Sequence, residues 1–222
     1  MQRILVASGN AKKLAELSRL CDELPVEILS PADLMGDLPD VVEDADTFAG
    51  NAAKKALAFA QVAAEQLGKD VWALADDSGL CVDHLNGEPG VHSARFAELY
   101  QTPAEAIPPT VDPDSANNTL LLNRLDGIAE SQRGAAFHCC ICLAHNQEVL
   151  LTVNGSVRGK ILAAPQGQDG FGYDPLFFHP SIGVTFAELS ASGKAAVSHR
   201  GQAVGELRKA LESLLGSPSQ TP

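Results

Sequence analysis

Short apolar runs and helical repeats alternate along the first third of the chain. Residues 3–7 form a β-type run that ends at a polar Ser-Gly-Asn turn, and leucines then recur at helical spacing over residues 11–21. A second short run covers residues 26–29, and a long alanine-rich segment at 47–67 follows an acidic loop punctuated by proline and glycine. The pattern predicts a strand, a helix, a strand and a long helix, in that order.

The middle of the chain continues this alternation. Residues 71–75 predict a compact apolar strand that stops at Asp-Asp-Ser-Gly, after which residues 80–82 resume an extended run. The segment 106–117 is rich in proline and aspartate and predicts a loop, with a helix at 118–125 after it.

The last third predicts antiparallel pairing. Two long runs, 135–144 and 148–157, are joined by His-Asn-Gln and predict a hairpin. A last helix is expected at about 194–215, before a polar tail at 216–222 that we expect to be disordered. Strands that alternate with helices and later pair antiparallel predict an α/β protein with a mixed, twisted sheet flanked by helices. We expect residues 1–215 to form one domain.

Composition narrows the class of protein. With 222 residues and 45% hydrophobic content, the chain can bury a sizeable core, as one large domain or as two closely packed lobes. The formal net charge of −12 argues against a nucleic-acid partner, because a general nucleic-acid surface needs many Lys and Arg contacts to phosphate. An isolated polyanionic ligand is still allowed, provided that a local basic cluster or a divalent cation offsets the negative potential.

The N-terminal run and the cysteines predict a cytoplasmic protein. The first apolar run reaches polar residues too soon for a signal peptide, and no stretch approaches the length of a membrane span. Five cysteines without framework spacing fit reduced thiols in a reducing compartment. His138, Cys139, Cys140 and Cys142 lie close together, but consecutive strand residues point to opposite faces and cannot surround one zinc ion.

Two predicted helix starts carry residue types that bind phosphate. Residues 8–13, Ser-Gly-Asn-Ala-Lys-Lys, combine unpaired backbone N–H groups and the helix dipole with a glycine and two lysines. Residues 47–55 open the long helix and place Asn51, Lys54 and Lys55 on one face. Each segment is also compatible with an ordinary capped helix whose lysines are solvated.

Asp76 and Asp77 stand at the end of an otherwise apolar strand. Two unpaired carboxylates in a half-buried place are costly, and a divalent cation relieves that cost. Mg²⁺ accepts carboxylate ligands together with waters and substrate phosphates. Because neighbouring strand residues point apart, we expect one carboxylate near the ion or its water and the other in a structural role. A β-turn with Asp at its first positions is the alternative.

Two later segments are suited to a purine base. Residues 170–175, Gly-Phe-Gly-Tyr-Asp-Pro, can lay a ring against a purine face while the carboxylate accepts hydrogen bonds from the base edge. Lys194 and the Ser-His-Arg-Gly sequence at 198–201 form a basic cluster in an acidic chain. A structural turn and a helix that opens with surface charges are the respective alternatives.

Taken in this order, these segments resemble the inosine/xanthosine triphosphate pyrophosphatase family, also called the non-canonical purine NTP pyrophosphatases. The resemblance runs from residue 4 to about residue 205 and includes Pro-Gly-Val-His-Ser-Ala-Arg at 89–95. It implies an Mg²⁺-dependent enzyme that hydrolyses ITP, dITP and XTP to the monophosphate and pyrophosphate, which keeps deaminated purines out of DNA and RNA. It also implies an elongated α/β fold with two lobes around a central nucleotide-binding cleft, and a homodimer.

The resemblance implies roles for individual residues. Mg²⁺ is expected at Glu43 and Asp77 with Asp76 nearby, Asp77 is expected to act as the base for the attacking water, and Lys13 and Lys54 are expected to assist catalysis. The residues expected to hold the triphosphate lie at the two helix starts and are Ser8, Gly9, Asn10, Ala11, Lys12, Lys13 and Asn51. The residues expected around the rest of the nucleotide are Ser78, Phe171, Gly172, Tyr173, Asp174, Lys194, His199 and Arg200.

Two positions depart from the family pattern. Gly50 stands where the family usually has Glu, which could close a capping box with Thr47, so we expect the helix start to use Asp46 instead. Ala-Ser-Gly at 191–193 stands where the family usually has acidic residues before Lys194.

The resemblance also implies how the substrate is chosen. Donors from the His199-Arg200 region would pair with the 6-oxo group of hypoxanthine or xanthine and would be left unpaired by the 6-amino group of ATP. Two alternatives stay open: a non-catalytic nucleotide-binding sensor that uses the same loops, and a pyrophosphatase of other modified or canonical nucleotides in a related fold.

Overall fold

The computed structural model describes residues 1–8, 10–22, 24, 26–35 and 38–216. In chain order, the first elements are β1 (Arg3–Ala7), α1 (Ala11–Cys21), β2 (Glu27–Leu29), α2 (Phe48–Gln66) and β3 (Trp72–Val82). The later elements are α3 (Phe96–Tyr100), α4 (Pro113–Arg124), β4 (Gly134–His145), β5 (Glu148–Ile161), β6 (Phe177–His179), β7 (Val184–Thr185), α5 (Ala191–Val197) and α6 (His199–Gly216). The predicted tail lies outside the described residues, except for Gly216, which ends α6.

The strands described form one mixed sheet in the order β2-β1-β3-β4-β5-β6-β7. β1 is parallel to both β2 and β3, whereas β5, β6 and β7 pair antiparallel. β4 and β5 are neighbours joined by two residues, of which Asn146 has a φ of 52°, and a link this short is the connection of a hairpin. The α/β class and the mixed sheet predicted from the sequence are confirmed.

β1 is buried on both faces, which explains why its sequence is continuously apolar. Ile4 and Val6 pack in one core with leucines of α1 and α6. Leu5 points to the other face, into a core formed largely by alanines of α2 and β3. Small residues on α2, such as Ala52 and Ala56, let this long helix approach the sheet closely.

β3 does not stop where the sequence predicts a stop. It runs without a break through Asp76 and Asp77, both of which are buried. A buried carboxylate is tolerated in a strand when a charged or polar partner offsets its desolvation. Both aspartates have such partners, which are described below.

Two helix boundaries also differ from those predicted. α4 begins at Pro113, because Asp112 caps it with hydrogen bonds from the next backbone N–H groups and proline is favoured at the first helical position. The single last helix expected is in fact two helices, α5 and α6, separated at Ser198, whose backbone is extended. Ser190 caps α5 by accepting from the N–H of Gly193.

The chain divides into two compact units. The first unit comprises Met1–Asp77, Cys139–Gly155 and the described residues from Arg200 onward, and the second comprises Ser78–His138 and Ser156–His199. The core of the second unit is rich in aromatic side chains, including Phe96, Phe137, Phe177 and Phe186. Within the described residues, every helix is too short or too polar to form a membrane span.

Candidate functional site

The start of α1, where the triphosphate was expected, is a capped helix terminus. The Oδ1 atom of Asn10 accepts from the backbone N–H groups of Lys12 and Lys13 at 3.0 and 3.1 Å, and Ser8 Oγ accepts from the N–H of Asn10 at 3.3 Å. Asn10, Ala11 and Lys12 are exposed, and Lys13 is half-buried. The expected role of Gly9 falls on a residue outside the described part of the chain.

The start of α2 uses its threonine as a cap. Thr47 Oγ1 accepts from the N–H of Gly50 at 3.1 Å, so the expectation that Asp46 would take this role is wrong. A Cβ atom at position 50 would lie 2.6 Å from the Cβ of Ala45. The glycine is therefore fitted to the close approach of the preceding loop, and any side chain there requires Ala45 to move.

Asp77 is the centre of a polar cluster in the first unit. Its Oδ1 atom lies 3.3 Å from Lys55 Nζ, and its Oδ2 atom accepts from Asn51 Nδ2 at 3.2 Å. Lys55 also donates to Glu43 Oε2 at 2.9 Å, so one ammonium joins two carboxylates. Asn51 and Lys55 are four residues apart on α2 and therefore share a face. The Oδ1 atom of Asn51 accepts from Ala45 N at 2.9 Å, which ties the acidic loop to the same helix.

Burial and charge act in opposite directions in this cluster. Burial raises the pKa of Asp77, although Lys55 and Lys13 oppose the rise. For Lys55, burial disfavours the ammonium, but Asp77, Asp76 and Glu43 together raise its pKa above the ordinary value. Lys55 therefore stays charged, while Asp77 ionises more readily when further positive charge is nearby.

The structure brings Lys55, and not Lys54, to Asp77. Lys54 is exposed and pairs with the exposed Asp44 in the acidic loop. Both lysines lie on the predicted polar face of α2, but of the two only Lys55, four residues after Asn51, contacts Glu43 and Asp77.

Asp76 has partners different from those of Asp77. Its Oδ2 atom accepts from Nε and Nη2 of Arg200 at 3.3 and 3.1 Å, and Arg200 Nη1 donates to Glu16 Oε2 at 2.8 Å. Arg200 is only 1% exposed. Burial opposes the charge of Asp76, but Arg200, with Lys13 and Lys55, holds its pKa well below the usual range. The guanidinium expected to read the base thus lies buried between two carboxylates.

A second cluster lies in the other unit, around the glycine-rich segment. Asp174 Oδ2 accepts from the N–H of Phe171 at 2.9 Å and from Lys194 Nζ at 2.6 Å. Lys194 Nζ lies 4.7 Å from the centroid of the Phe171 ring. Gly170 has a φ of +78°, and a Cβ atom there would lie 2.1 Å from Asp174 Oδ2, so the turn requires glycine.

Aromatic and tyrosyl contacts complete this cluster. The His199 ring stacks on Phe137 with centroids 4.7 Å apart and an interplanar angle of 11°. The buried Tyr173 hydroxyl donates to the carbonyl of Ser93 at 2.9 Å. Burial raises the pKa of Tyr173. Both side chains are therefore held within the protein core.

The predicted site residues separate cleanly between the two units. The first unit holds the residues expected at the phosphates and the metal, namely Ser8, Asn10, Ala11, Lys12, Lys13, Glu43, Asn51, Lys54, Asp76 and Asp77, together with Arg200. The second unit holds the others expected around the nucleotide, namely Ser78, Phe171, Gly172, Tyr173, Asp174, Lys194 and His199. Glu16 could not be predicted from the sequence, because one carboxylate beside an apolar helical stripe carries no distinguishing pattern.

The donor set of the first unit fits a cation that binds together with phosphates. The described residues contain no group of three or more His, Cys, Asp and Glu side chains that could hold a metal by themselves. Glu43 and Asp77 form a smaller set, already joined by one positive charge on Lys55. Mg²⁺ is typically bound by one or two carboxylates, with waters and substrate phosphates completing its shell. The pair therefore suits Mg²⁺.

The chain and its fold match those of a known family. The family model described as "Ham1 family" matches residues 4–210, and the chain belongs to that family. The chain is 42% identical to a dITP/XTP pyrophosphatase of Leuconostoc mesenteroides over 94% of its own length and 96% of that protein. It is 44% identical to one from Geobacter sulfurreducens, again over 94% and 96%. The solved structure of a HAM1 protein from Coxiella burnetii is 36% identical, with a TM-score of 0.78, and the match covers 96% of this chain and 100% of that one. The resemblance inferred from the motifs is confirmed.

Proposed function

We propose that this protein hydrolyses the non-canonical purine nucleoside triphosphates ITP, dITP and XTP to the nucleoside monophosphate and pyrophosphate, and so removes deaminated purines from the nucleotide pool. The observation that carries the proposal is the cluster in which Lys55 joins Asp77 and Glu43. The relatives named dITP/XTP pyrophosphatase, at 42% and 44% identity over nearly the whole chain, support it.

The residues of the first unit bind the triphosphate in this proposal. The ammonium groups of Lys13 and Lys55 and the N-terminus of α1 attract the phosphate oxygens. Glu43 and Asp77 would hold Mg²⁺, which when bound would neutralise charge on the phosphates. Lys55 takes the role expected of Lys54, because Lys55 is the lysine in contact with Asp77.

Asp77 is the proposed base. The water oxygen forms a bond to the α-phosphorus, the bond from that phosphorus to the bridging oxygen breaks, pyrophosphate leaves, and a proton of the water passes to Asp77. Asn51 and Lys55 orient its carboxylate from two sides. Arg200 acts at a distance, by holding the neighbouring Asp76 in the strand.

The residues of the second unit recognise the base in this proposal. Phe171 offers a ring face, and the ammonium of Lys194, which donates to Asp174, lies over that ring. An ammonium N–H at this position suits the 6-oxo oxygen of hypoxanthine or xanthine, whereas the 6-amino group of adenine offers no acceptor there. We assign base recognition to Lys194, because the Arg200 guanidinium is committed to Asp76 and Glu16 and the His199 ring is stacked on Phe137 in the core.

A substrate panel tests the function. Purified protein is incubated with ITP, dITP, XTP, dTTP and ATP, with Mg²⁺ or with EDTA, and pyrophosphate release is measured. We expect rapid release from ITP, dITP and XTP with Mg²⁺, a much slower reaction with ATP and dTTP, and no reaction in EDTA. Binding of ITP without pyrophosphate release would indicate a sensor, and a preference for dTTP or ATP would indicate a different pyrophosphatase.

We further propose a homodimer that acts in the cytoplasm. The family resemblance motivates the dimer, and light scattering coupled to size exclusion tests it. Each of the five cysteines, all within the described residues, is a free thiol, which suits a reducing compartment. Localisation of a tagged chain tests the compartment.

A further inference from the structure

Asn118 on α4 contacts the segment that we propose to recognise the base. Its Nδ2 atom donates to the backbone carbonyl of Gly172 at 2.9 Å. We propose that Asn118 is a positioning residue: it holds residues 170–174, here called the base loop, in the conformation that binds the purine. The proposal rests on the proposed function for the role of the loop.

The base loop has a backbone that needs outside support. Gly170 and Gly172, on either side of Phe171, have φ values of +78° and +60°. Glycine populates these conformations as readily as others, so it does not by itself hold the chain in one of them. Within the loop, Asp174 accepts from Phe171 N and donates its own N–H to Phe171 O at 3.2 Å. The hydrogen bond from Asn118 fixes the next peptide, at Gly172, from outside the loop.

α4, which carries Asn118, is capped and packed into the core. Asp112 caps it, and its residues Asn117, Leu120 and Leu121 are buried. Asp114 lies one turn before Asn118 and, after burial, is the second cause of the raised pKa of Tyr173. Two successive turns of α4 therefore lie near the base loop.

The bonding of Asn118 contrasts with that of its neighbour Asn117. Asn117 satisfies both ends of its amide, because Oδ1 accepts from Ala97 N at 2.8 Å and Nδ2 donates to Ala94 O at 3.1 Å. Asn118 uses Nδ2 alone, and among the described residues its buried Oδ1 atom has no hydrogen-bond partner. Burying an unpaired acceptor is unfavourable. Asn118 therefore makes one hydrogen bond through its amide group, and that bond goes to the base loop.

The expected consequence concerns binding of the base, not the chemistry on the phosphates. A loop that contacts the base equally in the ground state and the transition state contributes uniform binding, so loosening it raises KM and leaves kcat nearly unchanged. The phosphate-binding residues lie in the other unit of the chain. Binding of an inorganic polyphosphate, which has no base, should therefore not respond.

The test compares Asn118→Asp and Asn118→Ala with Thr119→Ala. Asn118→Asp keeps the shape of the side chain but replaces the donor with an oxygen that repels the Gly172 carbonyl, and Asn118→Ala removes the amide without a new charge. Thr119 is the exposed next residue on α4, and its hydroxyl bonds within the helix to Ser115 O at 2.8 Å. Four quantities are measured: KM for ITP, kcat for ITP, inhibition by inorganic tripolyphosphate, and amide hydrogen exchange of a peptide covering the base loop.

For Asn118→Asp we expect KM for ITP to rise by roughly 10- to 100-fold, and for Asn118→Ala by about 5-fold, with kcat within about 2-fold. Tripolyphosphate inhibition should be unchanged, exchange in the base loop should be faster, and Thr119→Ala should behave as the unmodified protein. Unchanged KM and unchanged exchange would overturn the proposal, and so would equal losses of ITP and tripolyphosphate binding. Hydrogen exchange does not depend on catalysis. Faster exchange in a protein that does not hydrolyse ITP would therefore reject the proposed function and retain Asn118 as the support of the loop.

Discussion

Replacing Lys55 with alanine tests the cluster that carries the proposed function, and Lys54→Ala is a matched control on the same helix. The Lys55 side chain is 13% exposed and lies 3.3 Å from Asp77 and 2.9 Å from Glu43, whose side chains are 5% and 41% exposed. Lys54 is 45% exposed, and its partner Asp44 is 65% exposed. The two substitutions remove the same charge from adjacent positions but from very different surroundings.

The magnitudes follow from those surroundings. Removing one member of a fully buried ion pair costs about 3–5 kcal/mol; because Glu43 is partly solvated, we expect about 2–3 kcal/mol for Lys55→Ala. In a chain of this size, that loss lowers Tm by roughly 4–12 °C. Loss of a charge aimed at the reacting phosphates should also lower kcat/KM for ITP by about 10²–10³-fold. Lys54→Ala should change stability by no more than about 0.5 kcal/mol, because surface ion pairs contribute little.

The assays are pyrophosphate release from ITP at several substrate concentrations and thermal unfolding of both variants without nucleotide. Equal losses of activity in the two variants would refute the assignment of Lys55 over Lys54. Full activity in Lys55→Ala would remove the cluster from catalysis altogether, whatever its effect on Tm.

Three further predictions concern the other charged residues. Asp77→Asn should lower turnover of ITP by at least about 10³-fold, because a base or metal ligand acts mainly on the transition state. Calorimetry should still detect binding of ITP to this variant. Turnover within a few-fold of the unmodified protein would exclude Asp77 as base or metal ligand. Arg200→Met should lower Tm by roughly 6–20 °C, because it leaves Asp76 buried without its cationic partner. The ratio of kcat/KM for ITP to that for ATP should not change. A smaller ratio would show that Arg200 takes part in recognising the base. Arg200 lowers the folded-state pKa of Asp76 despite burial. The stabilisation of the folded state by this ion pair is therefore complete above the unfolded-state pKa of about 3.9 and is lost as the pH falls below it. Calorimetry should show that Tm falls more steeply with decreasing pH in the unmodified protein than in Arg200→Met. Asp174→Ala should raise KM for ITP but not the inhibition constant of tripolyphosphate, because it removes the carboxylate that pairs with Lys194 and accepts from Phe171 N in the base loop. A parallel change in both constants would contradict the assignment of base binding to the second unit and phosphate binding to the first.

Most of the local structure was readable from the sequence. The continuous apolar run of β1 and the leucine spacing of α1 predict elements whose bounds match the structure, because hydrophobic periodicity reports which faces of an element are buried. The order of the motifs was sufficient to identify the family. The boundaries that failed were those where polar residues admit two local interpretations. Asp112 and Pro113 are typical both of loops and of helix starts, and in the structure they cap and open α4.

The pairing of charges was decided by the tertiary structure. Arg200 meets Asp76 from 124 positions along the chain and Glu16 from 184, and no local pattern encodes contacts at such separations. Periodicity places Lys54 and Lys55 on the same helical face, but the orientation of α2 against β3 delivers only Lys55 to Asp77. The sequence thus determined which residue types were available for phosphate, metal and base. The packing of distant segments determined which of them came into contact, because a side chain's electrostatic partners depend on distances of a few ångströms that only the folded chain sets.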